Sequence, residues 1–390
     1  MKMLLPSSFI IFLQVLTTVS HTCKASTALP KFTAMLVFGD SSVDTGNNNY
    51  VLTAFQANHY PYGQDYPGHV PTGRFSDGKL IPDLIASSLG IKESVPPFLE
   101  PLISNDELRT GVNFASAGSG FDDLTAAASG VVSFSTQILY FKSYIERLKG
   151  FVGEAEATKI INGALVIISA GTNDFAINFY NLPTRRLQFT IGGYQDFLQV
   201  KIKEFVQGGH YPENHQGGHN HLVVNHQISM FWCSANFMVG VAMPQLGRGL
   251  FPIGCAPIQI TASFKDPNNR TCVQEQNLDA QSYNQKLANL IPKVQQSLPG
   301  SRLIFSDTYE LLYDMINNPQ KYGFVETNRG CCGTGFFEAG LSCNQITPVC
   351  ANTSQYLFWD SIHPSQAAYQ YIAKYLEDKI IPIHSTDHSR

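Results

Sequence analysis

The chain has 390 residues, of which 44% are hydrophobic, 12% aromatic and only 14% charged, with a formal net charge of −4. That length suits one large α/β domain or two smaller ones and buries a sizeable core without staples. The weak negative charge argues against a nucleic-acid or polybasic membrane surface, and the low charged fraction with 31 Gly argues against a coiled coil and against bulk disorder.

The N-terminus sets the expected compartment. Lys2 precedes an apolar run from Leu4 to Val19, interrupted by Pro6, Ser7, Ser8 and Gln14, with small residues following at Ser20 and Ala25. This pattern predicts a secretory signal peptide over residues 1–28, and the run is short for a membrane span of about 20 residues. The remainder, 29–390, is expected to be one domain exported to the extracellular space or cell wall. No later stretch predicts a transmembrane segment, and the end of the chain, His384 to Arg390, carries no lipid-anchor or retention signal. In such a compartment Cys255, Cys272, Cys331, Cys332, Cys343 and Cys350 form an even set for disulfides, and spacing does not choose their pairing. Adjacent Cys331 and Cys332 are unsuited to bonding each other. Cys23 leaves with the signal, and Cys233 is the odd residue. Two sequons, at Asn269 and Asn352, predict exposed glycosylated loops.

In chain order, Ala34–Phe38 predicts a short buried strand running into Gly39-Asp40-Ser41. A weaker strand, Gly111–Ala115, runs into Ser116–Gly120. Ala164–Ile168 predicts another, ending at Gly171-Thr172-Asn173-Asp174. Tyr194, Phe197, Leu198, Ile202 and Phe205 then fall on one helical face. Phe237–Ala242 is a possible strand and Arg302–Phe305 a clearer one. The last helix carries the stripe Tyr369, Ile372, Ala373, Leu376 and Ile380, with Pro364 at its first turn. Strands alternating with amphipathic helices predict βαβ units and a mostly parallel sheet. In open sheets of this kind ligands bind beyond the carboxyl ends of the strands. Gly39–Thr45, Ala115–Gly120 and Ala170–Asp174 are therefore expected to converge on one site.

The chemistry concentrates in two places. Ser41 lies just past a buried strand, where its hydroxyl can be held rigidly and exposed. Far along the chain comes Trp359-Asp360-Ser361-Ile362-His363-Pro364. An Asp three residues before a His, in one loop, can reach back to the imidazole Nδ1–H and leave Nε2 free to take a Ser proton. There is no Gly-x-Ser-x-Gly elbow, His-Glu-x-x-His, phosphate loop or dinucleotide-binding Gly pattern. Residues 208–226 hold five of the 11 His, and His215, His219 and His221 are weak metal candidates. No functional metal and no organic cofactor are expected.

These residues carry a resemblance. The blocks Phe38-Gly39-Asp40-Ser41 with Asp44 and Gly46-Asn47-Asn48-Asn49, Gly111 to Gly120, Gly171-Thr172-Asn173-Asp174 and Asp360-Ser361-Ile362-His363-Pro364 stand in order. With Pro71 to Gly78 and Cys331-Cys332-Gly333-Thr334-Gly335, they resemble the GDSL-type esterase/lipases of plants, within the SGNH hydrolases, and most of all the subgroup called extracellular lipases. The resemblance implies an α/β/α sandwich with a mostly parallel, five-stranded, flavodoxin-like sheet. It implies a secreted serine esterase or lipase acting on lipid-type acyl esters, with Ser41 as nucleophile, His363 as general base and Asp360 as its orienter. The backbone N–H groups of Ser41 and Gly118 and the side-chain amide of Asn173 would form the oxyanion hole. Asp44 and Arg74 match the family as structural residues, Asp44 bonding the Ser41 loop and Arg74 pairing or capping. An acyltransferase using the same triad, or an inactive secreted binding protein, are the alternatives.

The chain departs from the family at residues 208–251, where relatives carry a helix end, a basic turn and a central strand before the segment seen here as Ile253-Gly254-Cys255. Either Phe237–Pro244 stands in for that strand between two insertions, or the segment is translated intron and a core strand is lost. The segment lacks the local consistency of its surroundings, which favours the second reading.

Overall fold

The computed structural model describes residues 32–206, 250–263, 270–298 and 302–380, together with the backbone of residues 238–240. The signal-type run, Cys23, His215, His219, His221, Cys233 and Asn269 lie outside the described residues.

Four short strands form one parallel sheet in the order β1 (Met35–Gly39), β2 (Leu165–Ser169), β3 (Met238–Gly240) and β4 (Arg302–Ile304). β1 and β2 run in register from Met35 opposite Leu165 to Gly39 opposite Ser169. Their continuous apolar sequences are explained by burial on both faces. Leu36 and Phe38 of β1, with Val166 and Ile168 of β2, point to one side. There they pack against α4 (Phe134–Val152), α5 (Glu154–Asn162), α6 (Ile191–Val206) and α8 (Gln274–Gln296). Met35, Val37, Leu165 and Ile167 point to the other side, covered by α1 (Ile81–Ser88), α9 (Tyr309–Asn317) and α10 (Gln366–Ile380). The short helices α2 (Asn105–Arg109), α3 (Asp123–Ser129) and α7 (Pro257–Ala262) lie in the connections. Of the stripe expected at 194–205, Tyr194, Leu198, Ile202 and Phe205 are buried on α6 and Phe197 is partly buried beside them. Pro364 precedes α10 rather than opening it, and Ser365 Oγ accepts the N–H of Ala368 at its start.

One expectation is met in part and one is corrected. First, the main sheet shows four of the five expected strands among the described residues. Residues 110–116 do lie along the free edge of β1: Met35 N–H donates to Thr110 O, Val37 N–H to Val112 O, Phe114 N–H to Val37 O and Ser116 N–H to Gly39 O, at 2.7–3.2 Å. Ladder geometry is nevertheless confined to a bridge at Asn113. Gly111 has φ +92 and presses against Met35, where a Cβ would stand 2.0 Å from the carbonyl oxygen, so the extended run is bent at its start. Second, the sheet has not lost its central strand. Met238 opposes Leu165 on one side and Arg302 on the other, so β3 fills the place between β2 and β4.

A second, two-stranded parallel sheet joins β5 (Glu326–Gly330) to β6 (Tyr356–Phe358). The six Cys of the even set pair as Cys255–Cys272, Cys331–Cys350 and Cys332–Cys343. Arg74 makes the expected pair: its guanidinium bonds both oxygens of buried Asp83 at 2.7 and 2.8 Å. Asn352 is exposed at the start of a short turn. Among the described residues no single helix is long and apolar enough to cross a membrane.

Candidate active site

β1 ends where Gly39 presses on β2. A Cβ at Gly39 would stand 2.2 Å from Ser169 O, so a residue without a side chain is required there. Asp40 N–H then donates to Ser169 O at 2.8 Å, and the chain turns, with Val43 and Asp44 N–H both donating to Asp40 O. This turn leaves Ser41 half-buried just beyond the sheet. The Asp40 carboxylate accepts the N–H of Ser42 at 3.0 Å and its hydroxyl at 2.5 Å. Burial pushes the Asp40 carboxyl up to about 6, while the Ser42 bonds and nearby His363 pull it the other way.

His363 arrives from the loop after β6. Asp360 Oδ1 accepts the N–H groups of Ile362 and His363 at 2.8 and 2.7 Å, which closes a tight turn. The other oxygen, Oδ2, is then 2.7 Å from His363 Nδ1. Nε2 of the same ring is 2.8 Å from Ser41 Oγ. Ser41, more than 300 residues away in the chain, thus joins His363 and Asp360 in one hydrogen-bonded line. The imidazole rests against Phe75, 4.8 Å between ring centroids. A Cβ at Gly330 would stand 2.5 Å from the Asp360 carbonyl carbon, so the end of β5 is also kept bare.

The other two loops are stitched to this turn. Asp44, fully buried, accepts from Gly46 and Asn47 N–H at 2.8 and 2.7 Å and from Ala117 N–H at 3.0 Å. It therefore joins the Ser41 loop to the Gly118 loop, and burial pushes its carboxyl up to about 6. Gly118 has φ +88, a conformation that favours glycine. Asn173 spends one amide hydrogen on Ser119 O at 2.9 Å, and an amide has two. Next to it, buried Asp174 accepts the N–H groups of Phe121 and Asp122 and the hydroxyl of Thr125.

Ser41, Gly118, Asn173 and His363 open together onto a cavity of about 620 Å³. Its walls include Phe55, Phe75, Ile177, Phe251, Ile253 and Leu341, and among the described residues that line it only His363 can carry charge. Among the described residues no cluster of His, Cys, Asp and Glu is arranged to hold a metal.

One residue escaped the sequence reading. Tyr62, fully buried, donates its hydroxyl to Asp360 Oδ2 at 2.7 Å and accepts the N–H of Gly340 at 2.7 Å. It touches the same carboxylate oxygen as His363. Nothing in the spacing of Tyr60-Pro61-Tyr62 points to this.

The family model for GDSL-like lipase/acylhydrolases matches residues 35–376. The chain belongs to this family. It is 48% identical to one GDSL esterase/lipase of Arabidopsis thaliana, over 95% of this chain and 96% of the other. A second from the same plant is 48% identical over 93% of this chain and 94% of its own, and a third 47% identical over 94% and 95%. Family membership places the protein among the carboxylic ester hydrolases.

Two outcomes follow from this geometry. Tyr62→Phe leaves the Asp360 oxygen and the Gly340 N–H short of a buried partner, so chemical unfolding should show a loss of about 1–3 kcal/mol, with kcat falling more than KM changes. Unaltered stability and kcat would show the hydroxyl to be idle. The second outcome concerns pH. Asp40 holds its proton more tightly in the folded state than in the unfolded chain, so its burial cost is largest at neutral pH and is relieved as pH falls through about 6. Asp40→Asn cannot titrate. Relative to wild type it should gain less stability between pH 7.5 and pH 5, by on the order of 1 kcal/mol. Parallel stability–pH curves for the two proteins would contradict this.

Proposed function

We propose that the protein is a secreted serine esterase or lipase that cleaves acyl esters through an acyl-enzyme. The single observation that carries this reading is the line from Ser41 Oγ through His363 to Asp360, opening on an apolar cavity. Ser41 Oγ attacks the ester carbonyl carbon while its proton passes to His363 Nε2. Asp360 keeps the imidazole turned for this and stabilises the imidazolium that forms. The oxygen of the tetrahedral intermediate is received by the backbone N–H of Ser41, the backbone N–H of Gly118 and the second amide hydrogen of Asn173. Such fixed donors are worth most where charge develops and water is excluded. The intermediate collapses, the C–O bond breaks, and the alcohol leaves with the proton from His363. Water, deprotonated by the same imidazole, then attacks the acyl carbon and releases the acid and free Ser41.

Supporting export are the apolar N-terminal run and three disulfides, which form and persist outside the reducing cytosol. We read Asn352 and Asn269 as glycosylation sites of that compartment. We also read residues 110–116 as the edge position of a five-stranded, flavodoxin-like sheet, a reading that their hydrogen bonds to β1 support. The apolar walls favour lipid-type acyl chains.

Hydrolysis of p-nitrophenyl esters tests the mechanism. Ser41→Ala should lose at least about 10³-fold in kcat, and Asn173→Ala about 10²–10³-fold. Activity of Ser41→Ala within tenfold of wild type would overturn the assignment.

A further inference from the structure

Beside the apolar cavity lies a second one of about 640 Å³, and Asn181 and Gln259 line both. The two differ in chemistry. The second carries Arg186 together with Glu275 and Asp279, so charges of both signs line it and neither an anion nor a cation is singled out. Tyr180 and Phe189 add aromatic surface.

Gln259 sits at the junction. It lies on α7, whose Ile258 N–H donates to Ser361 O at 2.9 Å, inside the turn that holds Asp360 and His363. Gln259 is only 1% exposed. Its Oε1 accepts from Gln276 Nε2 at 3.1 Å, which leaves Gln259 Nε2 and Gln276 Oε1 buried without a partner among the described residues. Turning both amides over keeps one bond and again leaves one polar atom on each side chain unpaired. A buried polar atom without a partner is costly, so this pair is poised for a group that both donates and accepts. A hydroxyl does both. The aromatic walls suit the C–H faces of a compact polyol, and the mixed charges offer several further hydrogen bonds to its other hydroxyls.

We propose that this second cavity is the subsite for the alcohol half of the substrate, and that this half is a neutral polyhydroxy group esterified to the acyl chain in the apolar cavity. The inference rests on the ester-hydrolase reading above. The two cavities meet at Gln259, close to the turn carrying His363, so a two-part ester could lie with its polyol on one side of the junction and its chain on the other.

The test compares sucrose monooctanoate, below its critical micelle concentration, with methyl octanoate, below its solubility limit, two esters of the same acid. The wild type should favour the sucrose ester by about tenfold or more in kcat/KM, the equivalent of one or two buried hydrogen bonds. In Gln259→Leu and in Gln276→Leu, each measured on both esters with one preparation, that ratio should fall about fivefold or more, chiefly through KM for the sucrose ester. A ratio near one in the wild type, or a preference that neither substitution moves, would overturn the subsite while leaving the esterase intact. A folded wild type that hydrolyses neither ester would overturn the ester-hydrolase reading and the subsite with it.

Discussion

The Asp360 carboxylate is the interaction on which the rest of the site depends. One oxygen accepts two backbone N–H groups and so shapes the turn; the other accepts from His363 and from Tyr62. A fully buried carboxylate is costly unless its lone pairs are used, and four donors use them here. The same bonds fix the ring that reaches Ser41. The turn is thus held from its own backbone, and the imidazole from the turn.

The surroundings of that turn are tied down in a consistent way. Cys331 N–H donates to Phe358 O and Cys332 N–H to Trp359 O, so the paired cysteines lie directly against the strand that leads into Asp360. Cys332–Cys343 then closes the loop containing Gly340 and Leu341. Gly340 bonds Tyr62, and Leu341 forms part of the cavity wall. Tyr62 therefore couples the Asp360 turn to the wall of the cavity through one hydroxyl. On the opposite side Asp44 joins the Ser41 and Gly118 loops, and Asp174 anchors the segment after Asn173. Buried carboxylates accepting backbone N–H groups recur as the device that holds irregular loops at the sheet edge.

What the sequence discloses follows from which forces are local. β1 and β2 are legible because strands buried on both faces need continuous apolar runs, and α6 because its stripe has helical period. Gly111–Ala115 reads as a strand, but Gly111 bends the run against Met35. β3 is hardly legible, since three residues in an unpatterned segment carry little signal and only pairing with β2 and β4 defines them. β5, with the sequence Glu-Thr-Asn-Arg-Gly, has no strand pattern at all and exists through its pairing with β6. In the site, Ser41, Asn173, Asp360 and His363 stand in motif blocks whose chemistry is readable. Tyr62 is not, because its role is a contact made across 298 residues by one hydroxyl. The pairing of Gln259 with Gln276 is likewise invisible until the helices are packed.

The central claim is that Ser41 is made nucleophilic by the line through His363 to Asp360. A serine-directed fluorophosphonate, followed by peptide mass spectrometry, tests it most directly. The account predicts one equivalent of label, on Ser41, and slow or absent labelling in His363→Ala with the fold retained. Label on another residue, or labelling of Ser41 at the same rate without His363, would contradict it.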